Sequence, residues 1–231
     1  IGRPVYVAFS DSLEKALSLK TKGRADLVIG KDSVVRKQSA AARLKMSHAA
    51  RLTGLDGKTT QTGLILVVST DPALTVADIG DYTIYLGPDD CDEKHLAAKN
   101  LIVESGLENP EKPETCSACD EGALKIIELN KSGGKAATVI SSYAKPLLEG
   151  CGTIKKGELR VIGETDPVPF VAAFVNDELS KAERNAVKQA LLDVGGDKDL
   201  CKALETKHGF LAGEEPAGRS ADASAETAKK N

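Results

Sequence analysis

Leu64-Ile65-Leu66-Val67-Val68 is an unbroken apolar run, bounded by Gly63 on one side and by Asp71-Pro72 on the other. Its length suits a strand, and a strand with no polar alternation has to be covered on both faces. That requirement forces a layered architecture. The same rhythm repeats along the chain. Apolar segments at 5–9, 25–29, 82–86, 136–140, 159–163 and 170–175 read as further strands. Between them lie helical patterns: one opened by Asp11 with Glu14 and ended by Gly23, then 34–44, 75–79, one running to Ser105, 121–130, and a short one reaching Gly150. Ser180 with Glu183 opens another, which Gly195-Gly196 ends, and a last helix covers about 198–207. Alternation of this kind predicts an α/β fold with a parallel or mixed sheet.

The net charge is −3 and no long basic run interrupts the body of the chain, which argues against a nucleic-acid partner. Aromatic residues are 3% of the chain, with no Trp, so no stacking platform for bases or sugars is evident. No apolar stretch approaches the roughly 18 residues of a membrane span. The first residue is Ile rather than Met, and the expectation is that an upstream segment, a secretory signal included, precedes it. Residues 213–231 are Gly, Glu, Ala, Ser and Lys without periodicity and are expected to be a disordered tail.

Five cysteines stand at 91, 116, 119, 151 and 201. Cys116-Ser117-Ala118-Cys119 has redox-pair spacing, but no thioredoxin-like context surrounds it, and Asp120 stands where a haem c site needs His. A disulfide using Cys116 or Cys119 is expected, with Cys201 the unpaired thiol.

Three stretches resemble the phosphate/phosphite/phosphonate branch of the type 2 periplasmic binding proteins, the solute-binding components of ABC transporters. Gly23-Arg24-Ala25-Asp26-Leu27-Val28-Ile29-Gly30 resembles that family's strand leading to its cleft. Residues 63–69, with Thr75-Val76-Ala77-Asp78-Ile79-Gly80 and 82–87, are similar to its crossing strand, the helix after it and the first strand of its second lobe. Glu164-Thr165-Asp166-Pro167-Val168-Pro169 resembles its return crossing. The resemblance covers about residues 4–211. It implies two lobes, 1–68 plus 163–212 and 69–162, joined by two crossings at 64–69 and 164–169. It implies an extracytoplasmic, monomeric protein without a cofactor that captures a small, phosphonate- or phosphate-like anion by hinge closure, for import through a membrane permease or for sensing. This chain departs from the pattern in two places. The resemblance starts after the family's usual first strand and helix, which are expected to be lacking here, and the family's Ser/Thr/Gly-rich cradle reads here as Pro88-Asp89-Asp90-Cys91-Asp92-Glu93-Lys94-His95.

In such a fold, ligand contacts come from loops at strand carboxyl ends. Lys31, Asp32 and Ser33 offer a charge, a hydroxyl and a helix start, which serve either an anion or ordinary capping. Ser141, Ser142 and Tyr143 present three hydroxyls before a helix, more than capping needs. Thr165 and Asp166 form a further loop, and Asp90 and Cys91 belong to the acidic one. There, Asp90 with Glu93 makes a capping box, which accounts for the acids but not for Cys91 and His95 one turn apart. Cys91, Asp92 and His95 therefore carry the alternative of a metal-binding protein. A Cys-dependent enzyme, using Cys91 with His95 or the Cys116/Cys119 pair, is the weaker alternative, because no orienting group or oxyanion site follows from the spacing. The overall expectation is a binding protein, not an enzyme.

Overall fold

The computed structural model describes residues 5–10, 12–19, 24–109 and 113–213. The chain runs through α1 (Leu13–Leu19), β1 (Leu27–Lys31), α2 (Asp32–Ala41), β2 (Met46–Leu52) and the short β3 (Thr60–Gln61). Next come β4 (Gly63–Val68), a 3-10 helix (Val76–Ile79), β5 (Thr83–Leu86), α3 (Leu96–Glu104) and β6 (Glu114–Thr115). Then follow α4 (Cys119–Lys131), β7 (Ala136–Ser141), α5 (Ala144–Gly150), β8 (Leu159–Glu164) and the short β9 (Val168–Pro169). The last elements are β10 (Val171–Asn176), α6 (Lys181–Asp193), a second 3-10 helix (Val194–Gly196), α7 (Lys198–Ala203) and β11 (Phe210–Leu211).

These strands form two main sheets, ordered β1-β10-β2-β11 and β6-β5-β7-β4-β8. In the five-stranded sheet β4 lies antiparallel to β7 and β8, while β5 is parallel to both β6 and β7. Every residue of β4 is buried. Leu64, Leu66 and Val68 pack with Ala123 and Ile126 of α4; Ile65 and Val67 pack on the other face with Ile79, Ala98 and Ile102. This is the period-2 division that an all-apolar strand covered on both faces requires.

The expected crossing at 64–69 is therefore a core strand. Exposing those side chains in a hinge would forfeit about 1.5–3 kcal/mol each. The paired passages are β3, just before that strand, and β9, which lies within the expected return crossing at 164–169, with Thr60 opposite Pro169 and Gln61 opposite Val168. One leads from β2 into β4, the other from β8 into β10.

In the four-stranded sheet, Phe174 packs toward Val35 of α2 while Ala173 and Val175 pack toward Leu191 of α6. The Ser180–Glu183 capping box that opens α6 is present in full. The expected strand at 5–9 does not form. Val5, Tyr6, Val7 and Phe9 are 72–92% exposed and pair with no strand among the described residues. Asp11 and the tail beyond Gly213 lie outside the described residues.

Candidate functional site

The ends of β1, β5, β6 and β7 meet at one cavity of about 610 Å³ between the two main sheets. Lys31, the last residue of β1, reaches it from the four-stranded sheet. From the other side come Asp90, Cys91 and Lys94 after β5, residues 117–120 at the start of α4, and Tyr143 after β7. The helices α2, α4 and α5 all start at this cavity, with Lys31, Ala118 and Tyr143 as their N-cap residues, and none is capped by a side chain. The positive ends of three helices thus converge without the acceptor that usually satisfies them.

Behind the lining sits a buried carboxylate. Glu93 is 1% exposed and accepts the Ser141 hydroxyl at 2.5 Å and the Cys91 thiol at 3.4 Å, with the Lys31 ammonium 3.5 Å away. Lys31 also donates to the Cys91 sulfur at 2.6 Å. Burial by itself raises the pKa of Glu93; Lys31 and the Ser141 and Cys91 hydrogen bonds outweigh it and hold the carboxyl below its ordinary value. Burial likewise opposes the charge on Lys31, but Cys91 and Glu93 hold its ammonium above the ordinary value. Burial pushes the Cys91 thiol up, and Lys31 offsets this only in part.

The loop that carries Glu93 folds back on itself. The Gly87 N–H donates to the Lys94 carbonyl at 3.0 Å, and the Cys91 and Lys94 N–H groups close turns onto Pro88 and Cys91. A β-carbon on Gly87 would collide with the Lys94 side chain, and one on Gly63 with the Glu93 carbonyl oxygen. α3 starts only at Leu96, so the expected Asp90–Glu93 capping box is absent, and no side chain caps this helix.

The predicted site residues divide. Lys31, Asp90, Cys91 and Tyr143 line the cavity, and Ser141 stands behind it on Glu93. Asp90 is exposed, and Tyr143 tilts against Phe170 with ring centroids 5.8 Å apart. The others lie off the cavity. Asp32 is buried in an ion pair with Arg36 at 2.7 Å, and Ser33, half-buried, is not among the lining residues. Ser142 accepts from the Thr62 N–H at 3.2 Å, and Thr165 accepts from the Gly63 N–H at 2.8 Å and donates to the Asp166 carbonyl. Ser142 and Thr165 thus fasten the entry to β4 rather than the lining; Asp166 is exposed beside them.

Glu93 and Lys94 were missed as site residues. Reading Glu93 as a cap assigns its carboxylate to the local backbone, and no sequence pattern singles out Lys94. Lys94 is only 6% exposed, lines the cavity, and makes no ion pair among the described residues.

Two expectations are corrected. Cys91, Asp92 and His95 do not assemble a metal site: Cys91 faces Lys31 and Glu93, and the His95 Nδ1 bonds the Gly87 carbonyl at 2.8 Å. No group of three or more His, Cys, Asp or Glu suited to a metal occurs among the described residues. The same orientation leaves Cys91 without His95 as a base. The expected disulfide is also absent, because all five cysteines are free. Cys116 is buried in the core of the five-stranded sheet, whereas Cys119 opens α4 with its sulfur 4.0 Å from the Ser141 hydroxyl.

The family described as ABC transporter, phosphonate, periplasmic substrate-binding protein matches residues 1–216. No curated protein matches the chain. Among solved structures, a Xanthomonas citri protein bound to ATP aligns with a TM-score of 0.69 at 14% identity, covering 93% of this chain and 81% of its own. A binding protein component of an ABC phosphonate transporter from Pseudomonas aeruginosa gives 0.63 at 12% identity, covering 82% and 64%. PhnD1 from Prochlorococcus marinus, in complex with methylphosphonate, gives 0.63 at 13%, covering 84% and 74%. At such identities the likeness is one of fold, the two-lobed α/β architecture.

Proposed function

This chain belongs to the family of ABC-transporter phosphonate periplasmic substrate-binding proteins, and on that footing we propose that it captures a small phosphonate- or phosphate-like anion in the cavity between its sheets. The single observation that carries the ligand class is Lys94. The residue is 6% exposed, its ammonium makes no ion pair among the described residues, and it lines a cavity at which three uncapped helices also start. A lining cation with no carboxylate beside it is matched when an anion enters the cavity. Lys31 contributes less charge to a ligand, because Glu93 already balances it.

The lobe division that strand pairing favours is about 24–59 with 170–213 against 63–164, a shift of several residues from the boundaries expected at 68 and 163. Hinge closure about β3 and β9 would bring Lys31 toward the β5 and β7 loops. The proposed setting is extracytoplasmic, with the protein a monomer that hands its ligand to a membrane permease. Nothing in this role calls for catalysis or for nucleic acid. No helix among the described residues is long and apolar enough to cross a membrane.

Isothermal titration calorimetry with methylphosphonate, inorganic phosphate, an aliphatic sulfonate, an amino acid and zinc tests the proposal. Binding of methylphosphonate or phosphate, lost or weakened in Lys94→Met, is the expected result. Binding of zinc or the amino acid alone would overturn it.

A further inference from the structure

Lys31 and Cys91 approach more closely than a hydrogen bond requires. Their nitrogen–sulfur separation is 2.6 Å, below the about 2.7–3.2 Å of N–H···O bonds although sulfur is the larger atom. It is also well beyond a direct N–S bond. Two single bonds meeting at one bent oxygen atom span such a gap. The partners come from opposite sides of the cavity: Lys31 ends β1 of the four-stranded sheet, and Cys91 lies in the loop after β5 of the five-stranded sheet. Both line the cavity, so a small oxidant reaches a thiol that is otherwise buried. The Glu93 carboxylate touches both, at 3.4 Å from the sulfur and 3.5 Å from the nitrogen, and accepts the thiol proton.

We propose that Lys31 and Cys91 form a redox-reversible N–O–S bridge that staples the two sheets together across the cavity. The oxidant is hydrogen peroxide. The sulfur attacks one peroxide oxygen, so that an S–O bond forms and the O–O bond breaks. The thiol proton passes through Glu93 to the leaving hydroxide, which gives a sulfenic acid and water. Lys31, once its ammonium has released a proton to solvent, joins its nitrogen to the sulfenic oxygen. A second peroxide takes up the two electrons and the two hydrogens lost from N–H and S–O–H and leaves as two waters. Sulfur and nitrogen each give two electrons, and the sum is thiol plus amine plus two peroxides to bridge plus three waters. Excess thiol reductant returns the free thiol and amine, with one water and two disulfides of the reductant. If the cavity is the anion site proposed above, the bridge also removes the Lys31 charge and holds that site shut.

The test is peroxide treatment of the full chain, followed by peptide mapping with and without dithiothreitol. The expected product is a linked pair of peptides containing Lys31 and Cys91, heavier than their sum by one oxygen and lighter by two hydrogens. It should disappear on reduction and be missing from Cys91→Ser and Lys31→Arg. The bridged form should also melt at a higher temperature than the reduced form, because a cross-link restricts the unfolded chain. Oxidation that yields only a Cys91 sulfinic acid, or a Cys91–Cys119 disulfide, with Lys31 unlinked, would overturn the bridge. Methylphosphonate calorimetry on both forms separates the two proposals. A bridge in a protein whose reduced form binds neither methylphosphonate nor phosphate removes the anion assignment and leaves the cross-link standing.

Discussion

The Ser141 hydroxyl donates to the Glu93 carboxylate across 2.5 Å, which ties the end of β7 to the loop after β5. This contact turns an acid that would repel an anionic ligand into an internal brace. Glu93 takes hydrogen bonds from Ser141 and Cys91 and balances Lys31, so its charge is matched before any ligand arrives. Asp89 is exposed away from the lining, and Asp90, which does line the cavity, is exposed as well, so that water screens both. Among the lining cations, Lys94 is left without an ion pair among the described residues.

Replacing Lys94 with Met should therefore weaken binding without lowering stability. Without ligand, removing an ammonium that makes no ion pair while keeping the packing of its stem should leave the melting temperature at or above that of the parent. Affinity for methylphosphonate or phosphate should fall on the order of tenfold or more, about 1.4 kcal/mol or beyond. Calorimetry beside thermal unfolding measures both, and a variant that melts lower yet binds as the parent does would contradict the role given to Lys94.

Glu93→Gln should flatten the acid side of the stability curve. The folded-state pKa of Glu93 is lowered, so its contribution is present above the ordinary carboxylate value of about 4.3 and is lost as pH falls through the lowered one. The parent should lose melting temperature across that acid window more steeply than the variant. At neutral pH the variant should melt lower. The loss should be smaller than the about 3–5 kcal/mol of a fully buried pair, because Lys31 keeps 37% of its side chain exposed. Parallel acid limbs for the two proteins would remove Glu93 from this role.

Much of the fold was legible because β4 carries its signal locally: five apolar side chains in a row leave no other placement than a doubly covered strand. β2 was missed for the opposite reason. Met46-Ser47-His48-Ala49-Ala50-Arg51-Leu52 has little intrinsic strand preference and becomes a strand through pairing with β10 and β11, which follow it by more than a hundred residues. The site divides in the same way. Lys31, Cys91 and Tyr143 were readable from their places after strands, whereas Glu93 and Lys94 acquire meaning only from Ser141 and from the cavity that tertiary contact creates.

The two adjacent serines should behave differently. Ser141→Ala removes a donor from a buried carboxylate and should cost about 1–3 kcal/mol of stability, with weaker anion binding as the loop after β5 loosens. Ser142 only accepts from the Thr62 N–H in a half-buried position off the cavity, so Ser142→Ala should cost less than about 1 kcal/mol and leave affinity unchanged. Urea unfolding and calorimetry on both variants decide this, and equal effects would mean that Ser142 contacts ligand in the closed form.

Gly63→Ala tests whether the entry to β4 sets the position of the acidic loop. A β-carbon there would run into the Glu93 carbonyl oxygen and crowd the Thr165 side chain, which holds the Gly63 N–H. Both neighbours are fixed, one by backbone and one by its hydrogen bonds, so the strain cannot be relieved by a rotamer change. Overpacking of this kind costs about 1–3 kcal/mol. Because the clash falls on the loop that carries Glu93 and Lys94, it should also displace the cavity wall. The expected outcome is a lower urea midpoint together with reduced methylphosphonate affinity, whereas Gly150→Ala, where an added β-carbon meets nothing, should change neither. A Gly63→Ala protein with parental midpoint and affinity would mean that the loop after β5 is not held against β4.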